Sequence, residues 1–110
     1  MSKPDKKLGQ GAITTGAGTL LYTVPTDYKA HVKNIDVCNT TSSTLTAAIH
    51  LVPVGVAVGT SNMLFPTVKV LANSMIQWEG NQVLNAGDFI QGIGSGAGIT
   101  VNISGEEDRK

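Results

Sequence analysis

Apolar and polar residues alternate with a period of two along much of the chain, the spacing of a β-strand with one buried face. In the clearest run, 99–104, three β-branched residues face one way and three polar residues face the other. The run 45–51 repeats the pattern and ends before Pro53; its predicted buried residues are Leu45, Ala47, Ile49 and Leu51. Both runs are therefore predicted strands of sheets that pack on one side.

Similar segments bounded by Gly, Pro, Asn or Asp predict further strands at spacings of about ten residues. These segments are 9–14, 19–24, 29–39, 67–71, 74–79 and 88–93. Within 29–39, Val32 is out of phase with Ile35 and Val37. This break indicates either a β-bulge near Lys33-Asn34 or a strand that is buried on both faces.

Turn chemistry separates these strands, and Asp27 and Asp88 occupy turn settings in which aspartate commonly accepts hydrogen bonds from backbone amides. Turns are predicted at 73–74, 79–81 and 86–88, and a flexible hairpin connection at the glycine-rich run 92–98. The apolar stretch 64–76 is dense enough for a helix, but Pro66 and several β-branched residues oppose one. About eight strands with little or no helix predict an all-β fold, an antiparallel β-sandwich of jelly-roll type.

Charge is concentrated at the two ends of the chain. Nine of the sixteen charged side chains lie in 1–7 and 106–110. We expect a flexible charged N-terminal arm at 1–7 and a charged C-terminal tail at 106–110, on either side of a β-sandwich domain at 8–105. The surface of a soluble monomer is typically about a quarter or more charged residues. A body this poor in charge is therefore expected to face other protein rather than water.

The same distribution excludes several classes of partner. Formal net charge is zero and the seven body charges are scattered singly, so no footprint for nucleic acid or for an anionic membrane is predicted. No segment approaches the roughly 18 apolar residues of a membrane span, and the first residues do not resemble a secretory signal. The single cysteine, Cys38, excludes an internal disulfide; it is predicted to be a small buried strand residue, with an intermolecular bridge as the alternative.

Few residues are candidates for catalysis. His31 and His50 are each predicted to lie at a sheet surface or a protein contact, and two histidines without a cysteine pair do not make a zinc site. Asp36 and Glu79 are able to share a sheet face, but no spacing indicates carboxyls opposed across a cleft. We expect no cofactor and interpret the chain as a non-enzyme, with a hydrolase that uses Asp36 or Glu79 as a remaining alternative.

Candidate contacts with a partner come from two segments. The lysines of the predicted arm are expected to reach a surface of opposite sign, and residues 63–65 follow a loop signal and form either an exposed contact or a plug at the open end of the sandwich. Trp78, in phase with Ile76, is predicted to be core. The predicted contact residues are Lys3, Lys6, Lys7, Met63, Leu64 and Phe65.

Residues 19–104 resemble small virion proteins of tailed bacteriophages. The resemblance rests on a Tyr-Thr-Val-Pro strand end, a Val-Lys-Asn-Ile strand that runs to Cys-Asn-Thr, and a late Leu-x-Ala-Gly-Asp turn. With its length and charged ends, the chain is similar to the capsid decoration (staple or cement) proteins of short-tailed epsilon15-like phages.

The resemblance implies a jelly-roll protein, assembled in the host cytoplasm onto the capsid exterior, that bridges neighbouring capsomers and stabilises the shell. The implied partners are the major capsid protein and further copies of the chain. A homodimer paired through the edge strand 9–14 is favoured and a trimer is the alternative. Because fold alone does not give function, a tail or baseplate component and a glycan-binding module on the virion remain alternatives.

Overall fold

A computed structural model of the protein describes residues 6–13, 15 and 18–109. These residues form eight β-strands and one short 3₁₀ helix, so the predicted all-β class is confirmed. The strands are β1 (Lys6–Ile13), β2 (Thr19–Thr23), β3 (Tyr28–Asn39), β4 (Leu45–Val52), β5 (Met63–Val70), β6 (Met75–Leu84), β7 (Phe89–Gly94) and β8 (Ile99–Arg109). The 3₁₀ helix, Thr60–Asn62, comes directly before β5.

The strands form two four-stranded sheets in which every neighbouring pair is antiparallel. Sheet A has the order β1-β8-β3-β6, and sheet B has the order β2-β7-β4-β5. Only β4 and β5 are neighbours both along the chain and within a sheet; every other connection between the described strands crosses from one sheet to the other. The β-strand pairing is therefore almost entirely between residues distant in sequence.

The core between the sheets is aliphatic. The predicted alternation in β8 is confirmed, because Ile99, Val101 and Ile103 are fully buried while the residues between them are partly exposed. In β7 the inward position at Gly92 is filled from β1, since a Cβ there would lie 2.7 Å from Ile13 Cγ2. Branched side chains packed into spaces left by glycine give the close packing that a core needs without large aromatic residues.

Of the two interpretations of the phase break in β3, a β-bulge or a strand buried on both faces, the β-bulge is confirmed. The pairing of β3 with both β6 and β8 shifts register between Val32 and Asn34, and Val32 and Ile35 are both fully buried. The extra residue lets a strand of twelve residues keep its apolar side chains on the core face. The turn predicted at 79–81 is wrong: these residues lie inside β6, beside the same irregularity.

Both ends of the described chain differ from the prediction. β1 begins at Lys6, and β8 continues to Arg109, which pairs with Tyr28 of β3. Lys6, Lys7 and residues 106–109 are therefore strand residues and not part of a flexible arm or tail. The prediction took the charges as a sign of disorder, whereas opposite charges on adjacent strands pair with one another. Residues 1–5 of the predicted arm lie outside the described residues.

Two connections also differ from the prediction. The hairpin predicted at 92–98 is wrong, because β7 and β8 belong to different sheets and the connection crosses between them. Its last residue, Gly98, has a φ of 104°, a conformation that favours glycine. The strand predicted at 67–71 begins earlier, at Met63, so residues 63–65, predicted as an exposed contact or a plug at the open end of the sandwich, are the first residues of β5.

Candidate protein-binding surfaces

Glu107, near the end of β8, joins three strands of the two sheets. Lys6 Nζ of β1 donates a hydrogen bond to Glu107 Oε1 over 2.7 Å, and the Tyr22 hydroxyl of β2 donates to Glu107 Oε2. The hydrogen bonds from Lys6 and Tyr22 lower the pKa of the Glu107 carboxyl. Burial, with the bond to Glu107, raises the pKa of the Tyr22 hydroxyl. This cluster ties sheet A to sheet B at one end of the sandwich.

The other acidic residues of this segment are also engaged within the chain. The contacts are Lys33 Nζ to Glu106 Oε2 at 3.3 Å, His31 Nε2 to Asp108 Oδ2 at 3.2 Å, and the Arg109 guanidinium 5.4 Å from the centre of the Tyr28 ring. His31 lies at a sheet surface, as predicted. Of the predicted lysine contacts, Lys6 is ion-paired, Lys7 donates to the Gln10 side chain at 2.8 Å, and Lys3 lies outside the described residues.

His50 fixes the loop 53–62 over the outer side of β4. Its side chain is only 4% exposed, and Nδ1 lies 3.1 Å from the Gly59 carbonyl oxygen and 3.0 Å from Asn62 Oδ1. Both neighbours are acceptors, so Nδ1 carries the proton and donates. The Asn62 side chain also donates to the Ala57 carbonyl at 2.9 Å. The predicted surface position of His50 is therefore wrong, because this loop covers it.

Asp88 holds the beginning of the same loop. Its two carboxylate oxygens accept hydrogen bonds from the backbone N–H groups of Val54 at 2.9 Å and Asn85 at 2.8 Å. The predicted turn role of Asp88 is thus confirmed. With His50 at one end and Asp88 at the other, the loop presents Val54, which is 63% exposed, and Val56 in defined positions.

The outer side of sheet B is apolar around this loop. Leu20 of β2 is 57% exposed. It pairs with Gln91, at one of the positions of β7 that face away from the core. Phe89 and Ile93 share that outward phase of β7 and are half-buried. We call Leu20, Val54, Val56, Phe89 and Ile93 the apolar face. The two valines of this face that lie in the loop are separated by glycine and flanked by proline and alanine. This sequence pattern does not predict an exposed binding surface.

The outer side of sheet A carries a row of polar side chains, with the exposed apolar residues Met75 and Val83 along β6. The strand register sets Gln10, Asn102, Asp36 and Gln77 in one row across all four strands. We call this row the polar face. Asp36 Oδ2 accepts a 3.4 Å hydrogen bond from Asn34 Nδ2, while Asp36 Oδ1 is buried and has no hydrogen-bond partner among the described residues. Glu79 is paired with Asn34 on the same side, so both candidate carboxylates lie on one open sheet face and do not oppose each other.

Cys38 lies on the same outer side of sheet A, paired with Met75 and Thr100. It is a free thiol and is partly exposed. The predicted burial of Cys38 is therefore only partial, because its outward phase in β3 directs it away from the core.

The long edge formed by β5 and β6 is open. One groove of about 340 Å³ is lined by Leu51, Asn62, Met63, Leu64 and Gln82. A second, of about 250 Å³, is lined by Ile35, Val68, Ile76, Gln77 and Trp78. Met63 and Leu64, predicted to contact a partner, thus lie together at this open edge, and the side chain of Phe65 is outside what the structure describes. Trp78 packs against the core, as predicted, and also lines the second groove.

The opposite edge, formed by β1 and β2, is closed. A Cβ at Gly9 would overlap the Leu21 carbonyl oxygen and lie 3.3 Å from Tyr22 Cβ. The backbones of β1 and β2 therefore approach closely, and the Lys6–Glu107–Tyr22 cluster crosses between the sheets on the same side. The sandwich is asymmetric, with one closed and one open edge.

No protein-family model and no curated protein matches the chain. Within residues 6–13, 15 and 18–109, no three His, Cys, Asp or Glu side chains come together as a potential metal site. The described part of the chain also contains no helix with the length and apolar character needed to cross a bilayer.

Proposed function

We propose that the chain is a virion protein that binds the outside of a tailed-bacteriophage capsid, bridges neighbouring capsomers and stabilises the shell without catalysis. Its partners in this proposal are the major capsid protein and further copies of itself, with no direct contact to nucleic acid or membrane. Assembly takes place in the host cytoplasm. The sequence resemblance over residues 19–104 supports the phage assignment, and the following observations support a binding role.

The finer fold assignment in this proposal is a jelly roll. Jelly rolls consist of eight strands in two sheets with Greek-key connections, and they occur in viral capsid proteins and lectins. The strand orders β1-β8-β3-β6 and β2-β7-β4-β5 support this assignment. Read in parallel, they set strand 1 opposite 2, 8 opposite 7, 3 opposite 4 and 6 opposite 5, so the strands of each pair are consecutive in the chain and lie in different sheets. Such a rigid spacer suits a protein that holds two capsomers at a fixed separation.

The observation that carries the proposal is the apolar face. Val54, Val56 and Leu20 are each close to half exposed or more, on a body in which charged residues are few. Exposed apolar side chains on one side of a domain are typical of a protein-binding site. A shell displays many identical subunits, so an oligomer that contacts two of them at once binds far more tightly than one contact allows.

The direct test is cosedimentation of the purified chain with assembled, undecorated capsids of its phage. We expect saturable binding at a fixed ratio of chain to capsid subunit. Val56→Lys should weaken binding, because it places a charge within the apolar face. Gln10→Lys, a matched change on the polar face at the closed edge, should bind like the wild type. No saturable binding, or equal loss in both variants, would contradict the proposal.

A glycan-binding module is the second candidate, and the polar face favours it. The carboxylate of Asp36 lies among the amide side chains of Asn34, Asn102 and Gln77, and this mixture of acceptors and donors suits sugar hydroxyl groups. Calorimetric titration with glycans decides between the candidates. Saturable sugar binding that is lost in Asp36→Ala, by a chain that does not bind capsids, would favour the module.

A further inference from the structure

Self-association requires a surface. The two edges of the sandwich differ in how well they are protected against pairing with another chain. An unpaired edge strand presents backbone N–H and C=O groups that can pair with another chain, and natural proteins protect such edges with charge, especially lysine. β1, which contains residues 9–13 of the edge strand predicted from the sequence, carries Lys6 and Lys7 and is packed against β2. It is therefore the protected edge.

The β5/β6 edge has less of this protection. Among the described residues, no strand pairs with the outer side of β5 or β6. Each strand carries one charge, Lys69 on β5 and Glu79 on β6. Both charged residues are exposed, and neither forms an ion pair within the described ranges. Leu71 and Met75, next to this edge, are more than half exposed.

We propose that two copies of the chain associate through the β5/β6 edge, about a twofold axis parallel to the strands that sets β6 of each copy beside β5 of the other. The two grooves, of which the one beside Trp78 is the more apolar, then face the partner and are covered on association. The proposal specifies the surface of the homo-oligomer in the proposed function, and it is tested in solution without a capsid.

The size of the edge fits a stable dimer. β6 has ten residues, so it is about 33 Å long, and two stacked sheets with their side chains are roughly 20 Å deep. The edge therefore offers on the order of 650 Å² per copy, close to the roughly 800 Å² per partner of a standard protein interface. Pro66 has no N–H and limits pairing on β5, so strand pairing is expected mainly at 67–70.

Charge selects the arrangement. A twofold axis perpendicular to the strands would place β6 against β6, and Glu79, the fifth of ten residues in β6, would lie near its own copy. Like charges on facing strands destabilise pairing. With the axis parallel to the strands, β5 of one copy, which carries Lys69, lies beside β6 of the other copy, which carries Glu79. The opposite charges then lie on adjacent strands.

Sedimentation velocity of the purified full-length chain over a concentration series tests the proposal by charge reversal. We expect the wild type to dimerise, and Lys69→Glu or Glu79→Lys to weaken dimerisation on the order of tenfold at low ionic strength, where exposed charges are least screened. The double reversal, Lys69→Glu with Glu79→Lys, should restore it. Lys7→Glu, on the closed edge, is the matched control and should have no effect.

Several outcomes would overturn this assignment. These are a wild-type chain that stays monomeric at millimolar concentration, a double reversal that does not restore association, and a larger effect of Lys7→Glu than of either reversal. Stronger dimerisation of Glu79→Gln would indicate β6 against β6 and would also overturn it. Circular dichroism and thermal unfolding show whether each variant is folded. A chain that dimerises in this way but binds no capsid contradicts the proposed function alone.

Discussion

At the scale of single residues, the most constrained polar side chain is Asn39 at the end of β3. It is fully buried, and Nδ2 donates to the carbonyls of Ser43 at 2.7 Å and Val70 at 2.9 Å. Its Oδ1 accepts from the backbone N–H and the hydroxyl of Thr41 at 2.9 and 2.7 Å. Because all four bonds are made, the side chain links the two sheets without leaving a buried polar group unpaired.

The substitution Asn39→Asp keeps the shape and removes the two donors. A carboxylate oxygen then faces the carbonyls of Ser43 and Val70, so we expect the free energy of unfolding to fall by about 2–5 kcal/mol. Urea denaturation measures the loss. Asn81→Asp, at an exposed position on β6, is the matched control and should change stability by less than about 0.5 kcal/mol. Equal stability of Asn39→Asp and Asn81→Asp would show that the hydrogen bonds of Asn39 do not stabilise the fold.

Glu107 makes stability depend on pH in the acid range. Its pKa is lowered in the folded chain by the hydrogen bonds from Lys6 and Tyr22, so it stabilises the fold above the ordinary carboxyl value of about 4.5 and loses that contribution as pH falls through its folded pKa. Glu107→Gln should therefore flatten the decline in Tm between neutral pH and pH 2. Lys6→Met should flatten it in part. An unchanged slope in Glu107→Gln would contradict this account.

At the scale of elements, local patterns predicted the strands well and their connections poorly. Period-two alternation located β4 and β8, and the phase break in β3 located its bulge. The crossover after β7 was read as a hairpin because turn chemistry at 95–98 is the same whether the next strand joins the same sheet or the opposite one. The strand ends at Lys6 and Arg109 were missed because pairing of opposite charges across strands leaves no local signal.

The close contact of β1 with β2 depends on Gly9. A Cβ there would overlap the Leu21 carbonyl oxygen, whereas a Cβ at Gly11 of the same strand would lie 3.6 Å from Leu21 Cδ2, an ordinary contact. Gly9→Ala should therefore lower the free energy of unfolding by about 1–3 kcal/mol, and Gly11→Ala should leave it nearly unchanged. Urea denaturation of the pair decides the matter, and an equal effect at both positions would show that the edge is not closed as tightly as described.

At the scale of the whole molecule, the sandwich has two unlike outer sides and two unlike edges. The sequence predicts that a charge-poor body meets other protein and includes Met63 and Leu64 among the contact residues; both line a groove at the open edge. It did not identify the apolar face. Leu20, Val54 and Phe89 lie on one side of the sandwich because β2, β7 and β4 are adjacent in sheet B and the loop after β4 is held by His50 and Asp88. Neither alternation nor spacing contains that information.

The separation of the apolar face from the open edge leads to a prediction that tests the two proposals together. Val56→Lys should lose capsid binding and remain a dimer, because Val56 lies in the loop held over sheet B. Glu79→Lys should dimerise about tenfold more weakly, be monomeric at concentrations where the wild type still pairs, and keep the binding surface. Its apparent affinity for capsids should then fall by about 10²–10⁴-fold, the usual contribution of a second linked contact, while the number of chains bound at saturation stays unchanged. Quantitative cosedimentation with sedimentation velocity measures both properties, and a monomeric variant with undiminished affinity would show that each copy binds the shell independently.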